Sequence, residues 1–181
     1  MTALVTGFGP FGRWSVNSSG EAVAALGAAR PGLAVATLPV DHDAAPRALF
    51  DAVARVRPEV LLLTGLADEP RLRLEMRARR PEAWRDAPDD AARMLHGLWP
   101  WAAALDAMRA TGAPARLSDD PGRYVCETTY WAALATGCAP LVAFLHTPPL
   151  GAGWDAARVA AAMGACLDAA LSATSRGRRP C

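Results

Sequence analysis

The sequence predicts an α/β fold: a single-domain, three-layer α/β/α sandwich with a twisted, mostly parallel sheet between helices. Three observations predict it. Short apolar runs of strand length alternate with longer helix-patterned segments along the whole chain. The run Leu141-Val142-Ala143-Phe144-Leu145 is continuously apolar, as strands covered on both faces are. At 181 residues the chain can bury one substantial core but has no room for a second domain of ordinary size, so residues 1–181 are expected to form one domain.

The elements follow in order. A strand is expected near 3–6, then a helix near 18–29 that Asn17 or Ser18 can cap. A strand near 34–40 leads into a helix near 43–57, with His42 in Asp41-His42-Asp43 at its cap. A third strand spans about 59–64 and a fourth about 71–77, where Arg71, Arg73 and Glu75 alternate with Leu72 and Leu74. Residues 77–93 are polar and interrupted by Pro81, which predicts an exposed loop. His96 falls beyond it, before Trp99-Pro100-Trp101, as a loop residue. A helix near 98–111 stops at Gly112, and a strand near 114–118 precedes a helix near 124–136. The last strand, near 141–146, is followed by Gly151 and Gly153 and a helix near 154–172.

Composition excludes several function classes. The formal net charge is +1, so bulk electrostatics favour neither a nucleic-acid nor a membrane partner. All 19 basic residues are arginine, Ile and Gln are absent and Ala is abundant, a bias of genome composition more than of function. The four cysteines, at 126, 138, 166 and 181, form no C-x-x-C pair or metal-ligand spacing, and the chain opens on a strand without a signal segment. A reducing cytoplasm is the expected compartment. Homo-oligomerisation stays open.

Chemistry concentrates at Ser118-Asp119-Asp120-Pro121-Gly122-Arg123-Tyr124-Val125-Cys126, which delivers one cysteine to the start of a helix after a strand and a tight turn. Unpaired N–H groups and partial positive charge at a helix start lower a thiol's pKa and can hold an oxyanion. Without its flanking residues, such a cysteine is as readily a small buried apolar group. Twenty residues after Cys126 the last strand ends in His146, where active sites of α/β sheets usually sit. Glu75, the lone acid in Leu72-Arg73-Leu74-Glu75-Met76, could orient that histidine, although an ion pair with Arg71 or Arg73 would also explain it. Gly7-Phe8-Gly9-Pro10-Phe11-Gly12 satisfies G-x-G-x-x-G after a strand. Pro10 removes a donor, two phenylalanines crowd the turn and Asp41 lies 29 residues after Gly12, all of which disfavour a dinucleotide.

Four blocks in order carry a resemblance: Thr6-Gly7-Phe8-Gly9-Pro10-Phe11-Gly12, Glu75 on a middle strand, Gly122 to Cys126, and Phe144 to Pro148. Over roughly residues 3–150 the chain resembles the pyroglutamyl peptidase (pyrrolidone carboxyl peptidase) family. The resemblance implies a cysteine peptidase that removes an N-terminal pyroglutamyl residue through Cys126, His146 and Glu75, with Phe8, Phe11 and Tyr124 against a flat lactam ring and no metal or organic cofactor. Departures concern the substrate. Leu66 replaces the family's Gln after Gly65, Arg77-Ala78-Arg79-Arg80-Pro81 replaces its Ala-Ile-Asn segment and Asn-rich loop, and Glu127 follows Cys126 where Asn is common. The resemblance therefore implies retained acyl-transfer chemistry with an altered pocket around Leu66. A same-fold amidase acting on another small amide, and a peptide-binding descendant without turnover, remain as alternatives.

Overall fold

The structure, a computed structural model, describes residues 1–82 and 93–177. Strands β1 (Ala3–Phe8), β2 (Ala34–Leu38), β3 (Val60–Leu66), β4 (Leu72–Glu75), β7 (Ala115–Ser118) and β8 (Leu141–Thr147) form a six-stranded sheet ordered β2-β1-β3-β8-β4-β7. Strands β5 (Arg77–Arg79) and β6 (Met94–His96) pair apart from it. β2, β1, β3 and β8 are mutually parallel, whereas β4 runs antiparallel to β8 and takes β7 parallel to itself. The sheet is mostly parallel, as expected, with a reversed pair at one edge.

Strand parity divides the core in two. Val5, Leu62, Leu74 and Leu145 face helices α1 (Ser18–Ala29), α3 (Trp101–Ala110) and α5 (Ala156–Gly177), while Leu4, Leu63, Val142 and Phe144 face α2 (Ala44–Val56) and α4 (Val125–Thr136). This is the three-layer arrangement. Segment Ala156–Ser175 of α5 is long and apolar enough to cross a membrane by length and composition alone. It instead packs Val159, Met163 and Leu167 into the core beside α1 and α3, which accounts for its apolarity.

Several boundaries differ from expectation. The fourth strand stops at Glu75, and the first residues of the expected loop form β5, which pairs antiparallel with β6 in the register Arg77↔His96. The cause is packing: Ala78 is fully buried in the cluster that contains Tyr130, whose hydroxyl donates to the Glu75 carbonyl at 3.0 Å. His96 consequently lies on a strand, and residues 83–92 of the expected loop lie outside the described residues. Trp99 is buried in the core and α3 starts after Pro100, which cannot continue a helix backwards. At α2 the cap is supplied by Asp41, whose Oδ1 accepts from the amides of Asp43 (3.0 Å) and Ala44 (2.7 Å); His42 instead turns its Nδ1 to Thr128 Oγ1 at 2.8 Å. Asn17 caps α1 as expected, accepting from the Ser19 amide at 3.1 Å.

Candidate active site

The site is assembled at the carboxyl ends of the parallel strands. His146 and Glu75 fall on the α4-facing side of the sheet because each is one residue out of phase with a leucine, Leu145 or Leu74, that faces the other way. Antiparallel pairing sets Arg73 opposite His146 and Glu75 opposite Phe144. From there the Glu75 carboxylate reaches back: its Oε1 lies 2.9 Å from His146 Nδ1. A carboxylate can only accept, so Nδ1 carries the proton and Nε2 is left as the acceptor. Both side chains are removed from water, Glu75 at 0% and His146 at 3% exposure. The imidazole also lies against the Phe144 ring, with centroids 4.8 Å apart.

Cys126 is the second residue of α4. The chain reaches it through a turn in which Gly122 takes φ +86°, a left-handed conformation that suits glycine, and in which the Asp120 carboxylate accepts from the Gly122 amide at 3.2 Å. The Tyr124 carbonyl receives the amides of Glu127 and Thr128, so those of Val125 and Cys126 precede the first intrahelical bond and lie at the positive end of α4. Gly65, paired with His146 in the sheet, leaves room for the sulfur: a methyl group there would stand 2.6 Å from Cys126 Sγ and 2.9 Å from Phe144 Cζ.

One cavity of about 570 Å3 contains Cys126 and His146 together with all four residues expected to contact substrate. Phe8 and Leu66 are buried walls, at 3% and 8% exposure, and Phe11 is half-buried. Tyr124, at 75%, stands at the rim and does not close the pocket. The Phe8–Phe11 loop is tied to α1 by Asn17, whose Nδ2 donates to the Gly9 carbonyl at 2.8 Å, and by Ser19 Oγ, which accepts from the Phe8 amide at 3.1 Å.

The sequence reading missed part of this lining. Trp14 joins Phe11 in a tight bridged turn and carries the Arg13 guanidinium 4.9 Å from its ring centroid, and Arg13 pairs with Asp68 across the mouth. Trp14 lies two residues after Gly12, so a third aromatic beside Phe8 and Phe11 was the available signal. Arg73 also enters the cavity. Among the described residues no group of three or more His, Cys, Asp or Glu side chains is spaced to hold a metal ion.

The expected lowering of the thiol pKa does not occur in this state. Burial pushes the Cys126 thiol up to about 12, and the negative charge of Glu75 adds to the rise, against opposing help from the Cys126 amide and Arg73. The helix start is outweighed by desolvation, although the side chain keeps partial exposure to the cavity. Alkylation of Cys126 by iodoacetamide is therefore expected to climb about tenfold per pH unit from pH 7 to 10 without a plateau, and still to outrun fully buried Cys166, whose thiol burial also pushes up to about 12. Peptide mass mapping at several pH values would read this; a plateau near neutral pH would contradict it. Cys138, at the end of α4, is half-buried and also raised by burial. Cys181 lies outside the described residues.

A thiol and an imidazole on one cavity, with a carboxylate on one ring nitrogen, form the kind of site that thiol-dependent acyl transfer uses. Comparison with known proteins narrows that class. The pyroglutamyl peptidase family model matches residues 1–154, and the chain belongs to that family. It is 30% identical over 167 residues to a pyrrolidone-carboxylate peptidase of Thermococcus kodakarensis, covering 82% of this chain and 81% of that protein. It is 34% identical over 170 residues to one of Deinococcus radiodurans, covering 81% and 78%. In fold it is similar to crystallised pyroglutamyl peptidase I of Bacillus amyloliquefaciens (TM-score 0.81, 22% identity, 94% and 97% covered). A mutant pyrrolidone carboxyl peptidase of Pyrococcus furiosus is likewise similar (TM-score 0.83, 21% identity, 96% and 99% covered).

Proposed function

We propose that this chain is a cysteine peptidase that hydrolyses the amide joining an N-terminal pyroglutamyl, or similar cyclic acyl, residue to the rest of a peptide. The observation that carries the reading is the 2.9 Å contact between His146 and Glu75 beside a cavity that Cys126 shares. His146 Nε2 takes the Cys126 proton as the sulfur attacks the acyl carbon, and Glu75 balances the imidazolium that forms. The amides of Val125 and Cys126, which precede the first intrahelical bond of α4, meet the oxyanion. Collapse breaks the C–N bond, the amine leaves with the proton from His146, and water then hydrolyses the thioester, releasing the cyclic acid and restoring the thiol.

Leu66 favours a second reading within the same chemistry. It is a buried apolar wall of the cavity where the family carries Gln, so a lactam would lose a polar partner there. Pyroglutamyl substrates are then expected to turn over weakly, with another small amide preferred. One hydrogen bond in a buried site contributes about 1–3 kcal/mol, so Leu66→Gln is expected to raise turnover of a fluorogenic pyroglutamyl amide by about tenfold or more. The experiment compares wild type and Leu66→Gln on that amide and on a panel of acyl amides. No turnover of any member by either protein would sink the enzyme reading. Strong wild-type turnover that Leu66→Gln leaves unchanged would show that other groups read the ring.

A further inference from the structure

Glu75 is shared between two donors. Its Oε1 accepts from His146 Nδ1 at 2.9 Å and from Arg73 Nε at 3.0 Å, while its Oε2 is buried with no hydrogen-bond partner among the described residues. A buried carboxylate ordinarily spreads its donors over both oxygens, so the crowding on one of them means that the guanidinium is held from elsewhere. Arg73 Nη1 donates to Glu69 Oε1, and the other Glu69 oxygen accepts from Arg116 Nη2 at 3.3 Å. Arg73 Nη2 also reaches the Asp120 carbonyl at 3.4 Å, on the turn that leads to Cys126.

Sheet register explains the alignment. His146 on β8, Arg73 on β4 and Arg116 on β7 are successive cross-strand neighbours, so three basic side chains stand in one row. Glu75 and Glu69 bond between them. Two carboxylates balance two guanidiniums, which leaves the row neutral with a neutral imidazole and positive with a protonated one. Arg73 Nη2 lies 3.4 Å from His146 Nδ1, and as both nitrogens carry protons that contact opposes added charge on the ring.

We infer that Arg73 is a positioning residue of this site: anchored by Glu69, it holds Glu75 Oε1 against His146 and supplies the cation against which the imidazole takes up its proton. The inference rests on the Cys126–His146–Glu75 reading above. The imidazole is faced by Arg73 and Glu75 from β4 and by Phe144 on its own strand, with Gly65 beside it on β3 and Cys126 of α4 lining the same cavity. Arg13, Asp68 and Glu69 line the same cavity from the loops, Arg13 being tied to Asp68. α1 reaches the end of β8 with the Ser18 hydroxyl, whose Oγ lies 2.7 Å from Thr147 Oγ1. Among the described residues Arg73 is the guanidinium that touches the ring, whereas Arg13 is turned to Trp14 and Asp68.

The test reads the imidazole directly. In a Cys126→Ala background, which needs no turnover, the His146 ring carbon is titrated by NMR and assigned by its loss in His146→Asn. Removing a cation at this distance is expected to raise the titration midpoint by about one pH unit in Arg73→Met, and Arg73→Lys is expected to leave it nearly in place. Arg73→Gln keeps a donor toward Glu75, so it carries the same expectation should the Met variant fail to fold. In the active protein the acid limb of kcat/KM is expected to move up by the same amount, with kcat about tenfold lower and KM little changed. An unmoved midpoint in folded Arg73→Met or Arg73→Gln overturns the inference, as does a Lys variant displaced as far as the Met variant. A wild type inert toward every acyl amide would instead remove the peptidase reading and leave the titration standing.

Discussion

Cys126→Ala is expected to lower turnover of an acyl amide by roughly 10^4-fold or more while leaving substrate affinity within a few-fold, because the attacking atom is gone and the walls remain. The walls are independent of the sulfur: Phe8, Leu66 and Phe11 are held by β1, β3 and the Asn17-tied loop. Ala at the second position of α4 keeps the helix start and removes a single half-buried atom, so the melting temperature is expected to change little. Steady-state kinetics with equilibrium binding of an uncleaved amide would read both quantities. Residual activity within tenfold of wild type would place the nucleophile elsewhere.

Glu75→Gln is expected to have nearly as large an effect on rate and a larger one on stability. The amide oxygen can still accept from His146, but the neutral side chain no longer balances the imidazolium in the transition state, and kcat is expected to fall by about 10^3-fold or more with KM little moved. Arg73, whose side chain is 14% exposed, would lose one of its two carboxylates and keep Glu69. Leaving a largely buried cation half-paired is expected to destabilise the fold by about 1–3 kcal/mol, short of the 3–5 kcal/mol for breaking a fully buried pair. Thermal melts alongside kinetics distinguish the two effects. A variant that melts lower but keeps its rate would make Glu75 a structural ion-pair partner, the bland alternative that its alternation with Arg71 and Arg73 suggests.

Much of the fold was legible because apolar periodicity reports burial locally. The continuous run 141–145 and the strand near 59–64 occupy the centre of the sheet, and the turn ahead of Cys126 needed only Gly122 to be recognised. Strand direction was not legible. Leu72-Arg73-Leu74-Glu75 has the same alternation whichever way it runs, and only tertiary pairing with β8 sets Arg73 against His146. The cap of α2 was misplaced by one residue because both Asp41 and His42 are polar there, while the amides bond to the aspartate. The thiol's pKa went the other way for a related reason. A helix start is visible in sequence, but the burial that outweighs it is a property of the assembled fold.

Strand β8 is the last strand to leave the ribosome, yet it occupies the middle of the sheet, between β3 and β4. Until it is in place, β2-β1-β3 and β4-β7 are two separate ribbons with exposed apolar edges, and no local hairpin can join them. A nascent chain must therefore wait for residue 147 before the sheet closes, and long-range pairing of this kind slows folding and prolongs exposure to aggregation. The same delay has a protective side. His146 arrives on that strand, so the chain completes its sheet and acquires its proposed base in one event, and no polypeptide that ends before β8 holds the thiol together with that base.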